Sequence, residues 1–227
     1  ALVCGIVVLG AYIFQFYFTV SYTYFTGEDS WVEYGTFACF LSAGILILWA
    51  MKIDRSFRRL GYGLLCAGMF FIALEEVSWG QRFLGVRTPG VIAQHNYQAE
   101  ITLHNSSFFP SEVLFGYAIL GWVLILPIIY NKLDFTHIFL DRIGTPIVPL
   151  WMRPYFVFGF ILKNFNVLVE NDEYGELLLG LGFIMLASHI LCEALRNTRK
   201  TDLALNRIAG CSILSILAVT FFLVQIR

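Results

Sequence analysis

The chain has 227 residues, of which 58% are hydrophobic, 17% aromatic and only 14% charged, with a formal net charge of −1. That balance excludes an ordinary soluble domain. Several windows of about 20 apolar residues, each enough to cross roughly 30 Å of hydrocarbon, point instead to an all-α integral membrane bundle.

No Ser-, Pro- or charge-rich linker divides the chain, so residues 1–227 are expected to form one transmembrane helical domain. Seven spans are predicted, over residues 1–25, 31–51, 60–79, 113–130, 154–169, 173–195 and 208–226. The chain starts at Ala1 rather than at methionine, as a truncated or processed start would. Residues 1–25 are too long and too aromatic for a signal peptide and read as a span. Lys163, Asn164 and Asn166 interrupt the fifth span.

Orientation follows from the Lys and Arg residues in the connections. With the N-terminus cytoplasmic and the C-terminus outside, eleven of the fifteen fall on the cytoplasmic side: Lys52, Arg55, Arg58, Arg59, Lys132, Arg142, Arg153, Arg196, Arg199, Lys200 and Arg207. Omitting the fifth span would put the basic stretch 196–207 outside, which is why that span is kept. The acids lean the other way. Glu28, Asp29, Glu33, Glu75, Glu76, Glu100, Glu112, Glu170, Asp172, Glu173 and Glu176 map to the outer face or the outer ends of spans. Acids contribute little to topology, so this clustering asks for another cause, and a convergent acidic site would supply one.

The third span ends in ALEEVSWGQR, where a carboxylate is costly unless it faces protein, water or a partner. Continued as a helix, this run puts Glu75, Trp79 and Arg82 on one face and Glu76 on the neighbouring one. Either Glu75 and Glu76 pair with Arg82 or an indole N–H and pin the helix end, or one of two adjacent carboxylates is protonated and able to act as an acid or base.

The loop 83–111 follows, with Thr88-Pro89 a good helix start and then HNYQAEITLHN. Asn96, Gln98, Glu100, Thr102 and His104 alternate as on an extended segment, while Asn96, Glu100 and His104 stack if the segment is helical. Both conformations aim Glu100 and His104 the same way. With Glu75 or Glu76, that pair suits a base and its orienter, a divalent-metal site, or a purely structural loop, and the three stay open. Val86, Val91, Ile92, Ile101, Leu103, Phe108 and Phe109 give the loop too much apolar surface for a solvated linker. It is therefore expected to fold back over the span ends. Glu33, Glu173 and Glu176 should border the same cluster, with Trp79, Gln81, Arg82, Asn96, Gln98 and Asn105 as binding groups. Glu-Tyr-Gly occurs at both acidic openings (Glu33–Gly35 and Glu173–Gly175), which helix-dipole stabilisation explains as well as a shared site does.

Elsewhere, residues 131–149 read as a cytoplasmic interfacial segment with an amphipathic helix. Its Asp134, His137 and Asp141 have metal-capable spacing but suit a solvated polar face. His189 reads as a helix-to-helix hydrogen-bonding group. The cysteines (Cys4, Cys39, Cys66, Cys192 and Cys211) all sit in apolar runs without a Cys-x-x-Cys pair and read as small buried residues. The basic runs are short loops between spans and give no support for nucleic-acid binding.

The run Glu75, Glu76, Ser78, Trp79, Gly80, Gln81 and Arg82, then Thr88-Pro89, Asn96, Gln98, Glu100 and Leu103–Asn105, resembles a family of uncharacterised bacterial polytopic membrane proteins. The acidic opening Glu28-Asp29 with Glu33 resembles it too. The match covers about the first half of the chain, implies a bacterial inner-membrane protein and carries no activity. Seven-span amide hydrolases related to alkaline ceramidase have a His-x-x-x-His in the last span, which residues 208–226 lack.

Two functions are expected from different classes. One is a membrane-embedded enzyme acting on a lipid or lipid-linked substrate, with Glu75, Glu76, Glu100 and His104 as its acid, base or ligand set. The other is a non-catalytic subunit held by partner membrane proteins. No cofactor is named by the sequence beyond a divalent metal at Glu100 and His104.

Overall fold

The computed structural model describes residues 2–20, 30–57, 59–96, 98–103, 106, 111–165 and 171–198. Helix α1 is Leu2–Tyr17 and α2 is Trp31–Ile53. Helix α3 is Leu60–Glu76, followed by a 3-10 turn at Ser78–Gly80 and the short α4, Gln81–Leu84, and α5, Gly90–Ala93. Helix α6, Ser111–Leu120, runs through a π segment, Gly121–Ile125, into α7, Leu126–Lys132. Then come α8, Asp134–Ile143, α9, Arg153–Asn164, and α10, Asn171–Asn197. There is no strand among the described residues, only an isolated bridge between Asn96 and Ser106.

Three helices are long and apolar enough to cross a membrane: Trp31–Ile53, Val113–Lys132 and Asp172–Asn197. They coincide with the second, fourth and sixth predicted spans. The third differs from expectation, because its helix stops at Glu76 rather than at residue 79 and has 17 residues. The fifth is a helix of only 12 residues, since its polar end, Lys163-Asn164, turns extended at Phe165. The seventh, 208–226, lies outside the described residues.

The core is the packing of α10 between α2 and α9, with α3 on the far side of α2. Ala43, Ile47 and Ala50 of α2 and Ala187, Ile190 and Ala194 of α10 are fully or almost fully buried. Small residues at such positions let backbones approach where lipid supplies no hydrophobic drive. Phe183 is the hub of an aromatic cluster, stacked on Trp122 at 5.8 Å and edge-on to Phe156 at 5.0 Å. Helices α9 and α10 meet at Gly159 and Gly175, where a Cβ on Gly175 would come within 2.6 Å of the Lys163 backbone nitrogen. The π segment precedes Pro127, whose missing N–H and bulky ring exclude ordinary i to i−4 bonding there.

The helix directions separate the charges. The N-terminal ends of α2 and α10 and the C-terminal ends of α3 and α9 meet at one end, with Glu33, Glu76, Glu173 and Glu176 around one cavity. Asp54, just past α2, meets Asn197 at the end of α10 at the other, at 2.9 Å, beside Lys52 and Arg196. Helix α8 has the expected amphipathic form: Phe135, 80% exposed, stacks on Phe139, while Asp141 accepts from the Tyr130 hydroxyl at 2.9 Å and meets His137 at 3.6 Å. Among the described residues, His189 pairs with Glu193 of its own helix at 3.3 Å rather than with another helix, and its ring stands perpendicular to that of Trp151. Cys39, Cys66 and Cys192 are free thiols; Cys4 and Cys211 lie outside the described side chains.

Candidate functional site: an acidic cavity at the end of an apolar groove

The site begins with the way α3 ends. After Glu76 the backbone enters the left-handed region at Ser78, Trp79 and Gly80, with φ of 49°, 56° and 74°. For the two residues with side chains this costs roughly 1–2 kcal/mol each, so other bonds must hold the turn. Trp79 donates its indole N–H to Glu75 Oε1 at 2.6 Å and lies edge-on to Phe71. Ser78 donates its hydroxyl to Glu100 Oε2. The expected helical face of Glu75, Trp79 and Arg82 is therefore replaced by a turn, yet Trp79 still reaches Glu75. Arg82 lies in α4, with its side chain outside the described ones.

The turn then captures the loop, but through polar bonds rather than apolar burial: Val86, Val91, Ile92 and Leu103 stay exposed. Glu75, only 5% exposed, accepts a second bond at Oε2 from the Leu103 backbone N–H at 2.6 Å. Gln81 accepts from the Ile101 N–H at 2.8 Å and donates to Thr88 Oγ1. The N–H groups of 101 and 103, two residues apart as in extended chain, thus both face the end of α3. Asn96 organises the rest of the loop from inside. Its carbonyl oxygen accepts from the N–H of Gln98 and of Glu100, and its amide donates to Thr102. The segment is a bend around Asn96, neither the strand nor the helix that its spacing allows. Thr88 does not cap α5, whose N-cap is Pro89. His104 and Asn105 lie outside the described residues.

Two spaces adjoin this assembly. The larger is a groove of about 820 Å³ between α3 and α6, floored by Phe40 of α2 and Leu179 of α10. Leu64, Phe71 and Leu114 form its apolar rims, and Glu75, Glu76, Lys163 and Glu176 line it too. The smaller is a polar cavity of about 20 Å³, lined by Glu33, Glu76, Ser78, Gln98, Glu100, Glu173 and Glu176. Glu76 and Glu176 belong to both, so they form the boundary between an apolar chamber and an acidic one.

The acids are used unequally. Glu75 and Glu100 bind the turn and loop together, and Glu176 pairs with Lys163, both of them largely buried. Glu76 accepts no hydrogen bond from the described residues, and Oε2 of Glu173 is buried with no partner among them. Glu33 and Glu173 stand in the first turns of α2 and α10, where the helix dipole favours a carboxylate, and they also share the cavity. No group of three or more His, Cys, Asp or Glu side chains is placed to hold a metal among the described residues.

Lys163 interrupts the fifth predicted span, and an ionisable residue inside an apolar run is a functional candidate by default; that signal marks Lys163 as it does Glu76. The groove residues Phe40 and Leu179 carry no such signal. No family model, curated protein or solved structure matches the chain.

Proposed function

We propose that the protein takes the hydrocarbon part of a lipid or lipid-linked molecule into the groove between α3 and α6 and presents its head to the acidic cavity. In this reading Glu76 is the acid or base of a membrane-embedded enzyme, and Glu75 and Glu100 hold the scaffold around it. The observation that carries it is the shared boundary: Glu76 and Glu176 line both the apolar groove and the polar cavity. An amphiphile is divided in the same way. A concave, mostly apolar site of a few hundred to 1,000 Å³ with a few convergent polar groups is the usual form of a small-molecule site. The Lys and Arg asymmetry supports an outward-facing acidic end, and a bacterial inner membrane is what the resemblance of the Glu-Glu-x-Ser-Trp-Gly-Gln-Arg run to a bacterial family implies.

The test uses Gly68, which lines the groove and where an added Cβ would meet nothing within 4 Å beyond its chain neighbours and its own helix backbone. Gly68→Trp should set a bulky ring in the groove. Wild-type protein, gently extracted and examined by native mass spectrometry, should carry bound lipid, and the variant should fold equally well and carry much less. Equal lipid on both would contradict the reading.

The alternative, a non-catalytic subunit of a membrane complex, is favoured by α1. Its Ile6, Leu9, Tyr12, Ile13, Phe16 and Tyr17 are exposed, and it packs closely on no other described helix. The same spectra would show a partner chain retained with the protein and no lipid in the groove.

A further inference from the structure

We propose that the head of the molecule held by this groove is a primary ammonium, so that the ligand is a long-chain amine or an amine-headed lipid. The inference rests on the groove being a lipid site and adds the charge and size of the head.

The charge follows from the lining. Among the described residues, the groove and cavity are lined by the carboxylates of Glu33, Glu75, Glu76, Glu100, Glu173 and Glu176, and by one cationic side chain, that of Lys163. Lys163 is committed to Glu176. Glu75 and Glu100 are committed to the turn and the loop. Glu76, without a hydrogen bond from the described residues, and the buried Oε2 of Glu173 are left to face the cavity they share. Five carboxyl groups line so small a cavity that they cannot all stand charged together. An ammonium can take the place of a proton held among them and brings three donors to oxygens that accept none from the described residues. A phosphate or carboxylate head would add like charge, and an alcohol or sugar head would add none.

The size follows from the cavity. At about 20 Å³ it has room for one water-sized group. A primary ammonium is of that size and a trimethylammonium is not. A divalent ion would fit by volume, but no three ligating side chains are grouped for one among the described residues.

The experiment titrates the full chain, in a neutral detergent, with dodecylamine, dodecanol and dodecyltrimethylammonium, and reads adduct occupancy by native mass spectrometry. Dodecylamine should reach half-occupancy at about one-tenth of the concentration that dodecanol or the trimethyl compound needs, as one charge-assisted hydrogen-bonded contact provides. Glu76→Gln and Glu173→Gln should each reduce the preference for the amine over the alcohol. Equal half-occupancy of amine and alcohol on the wild-type protein would overturn the proposal even if neither variant folded. So would a preference that survives in both variants.

Gly68→Trp separates this failure from failure of the lipid reading. If dodecanol binding is lost in that variant and the amine still gains nothing over the alcohol, only the head-group assignment falls. If no alkyl probe responds to Gly68→Trp, no alkyl chain enters the groove, and both readings fall.

Discussion

Trp79 reaches back to donate its indole N–H to Glu75 over 2.6 Å, although the helix that carries Glu75 has already ended. The bond closes a turn of three successive left-handed residues and fixes the carboxylate whose other oxygen takes the Leu103 N–H. Two neighbours in sequence are thereby set apart in role. Glu75 is a buried structural acceptor with both oxygens engaged, and Glu76 faces the groove and the cavity.

That division predicts opposite effects of the same substitution. Glu75→Gln puts an amide NH₂ against one of two N–H donors and should lower stability by about 1–3 kcal/mol. Glu76→Gln removes no hydrogen bond made by the described residues, so thermal stability should be unchanged or raised. Thermal unfolding of both variants in one detergent checks this, and a larger loss at Glu76 would reverse the assignment.

Trp79→Phe keeps the ring against Phe71 and removes only the donor to Glu75. A buried acceptor left one bond short costs about 1–3 kcal/mol. The loop should loosen with it, seen as faster amide exchange at Ile101 and Leu103 while the α2–α10 core stays protected. Uniformly faster exchange across the bundle would show that the turn is not a separate unit.

The buried pair of Lys163 and Glu176 should behave asymmetrically. Lys163→Met leaves a buried carboxylate unpaired and should cost about 3–5 kcal/mol, whereas Lys163→Met with Glu176→Leu should recover most of that loss. Equal loss in the single and double variants would mean that the pair is not what Glu176 contributes. Gly175→Val should fail for a different reason, since its Cβ would meet the Lys163 nitrogen and the Gly159 carbonyl. These are backbone atoms that cannot step aside, and overpacking of this kind costs about 1–3 kcal/mol or more.

At the other end of the bundle, Asp54 is held below the ordinary carboxylate range, chiefly by the Asn197 amide and then by the Ser56 N–H. A pKa lowered in the folded state contributes stability that is present above the unfolded value, ordinarily 3.8, and is lost as pH falls through the folded value. Asn197→Ala should bring that loss to higher pH, with no effect near neutrality on the acidic end. A single cysteine at position 56 and one at position 98 should also label from opposite sides of the membrane.

The sequence made the helical class, three apolar helices long enough to cross a membrane and the meeting of the loop with the end of α3 legible, because each rests on local composition or on the need of a buried carboxylate for company. The helix break after Glu76 was not legible. Ser78 and Trp79 have no intrinsic preference for the left-handed region, and only bonds to residues 75 and 100 make it tenable there. The roles of Glu75 and Glu76 were equally hidden, since spacing places adjacent residues on adjacent faces but does not say which face meets Leu103. The groove depends on a gap between α3 and α6, a tertiary relation with no local signature.

Occupation of that gap by an alkyl chain with its head at Glu76 is tested most directly by photo-crosslinking with a phospholipid carrying a diazirine on its acyl chain. After digestion and mass spectrometry, label should concentrate on Leu64, Phe71, Leu114 and Ala118, and Gly68→Trp should abolish it there. Label spread evenly over exposed apolar positions outside the groove, such as Leu48, Trp49 and Ile128, and unmoved by Gly68→Trp, would contradict it.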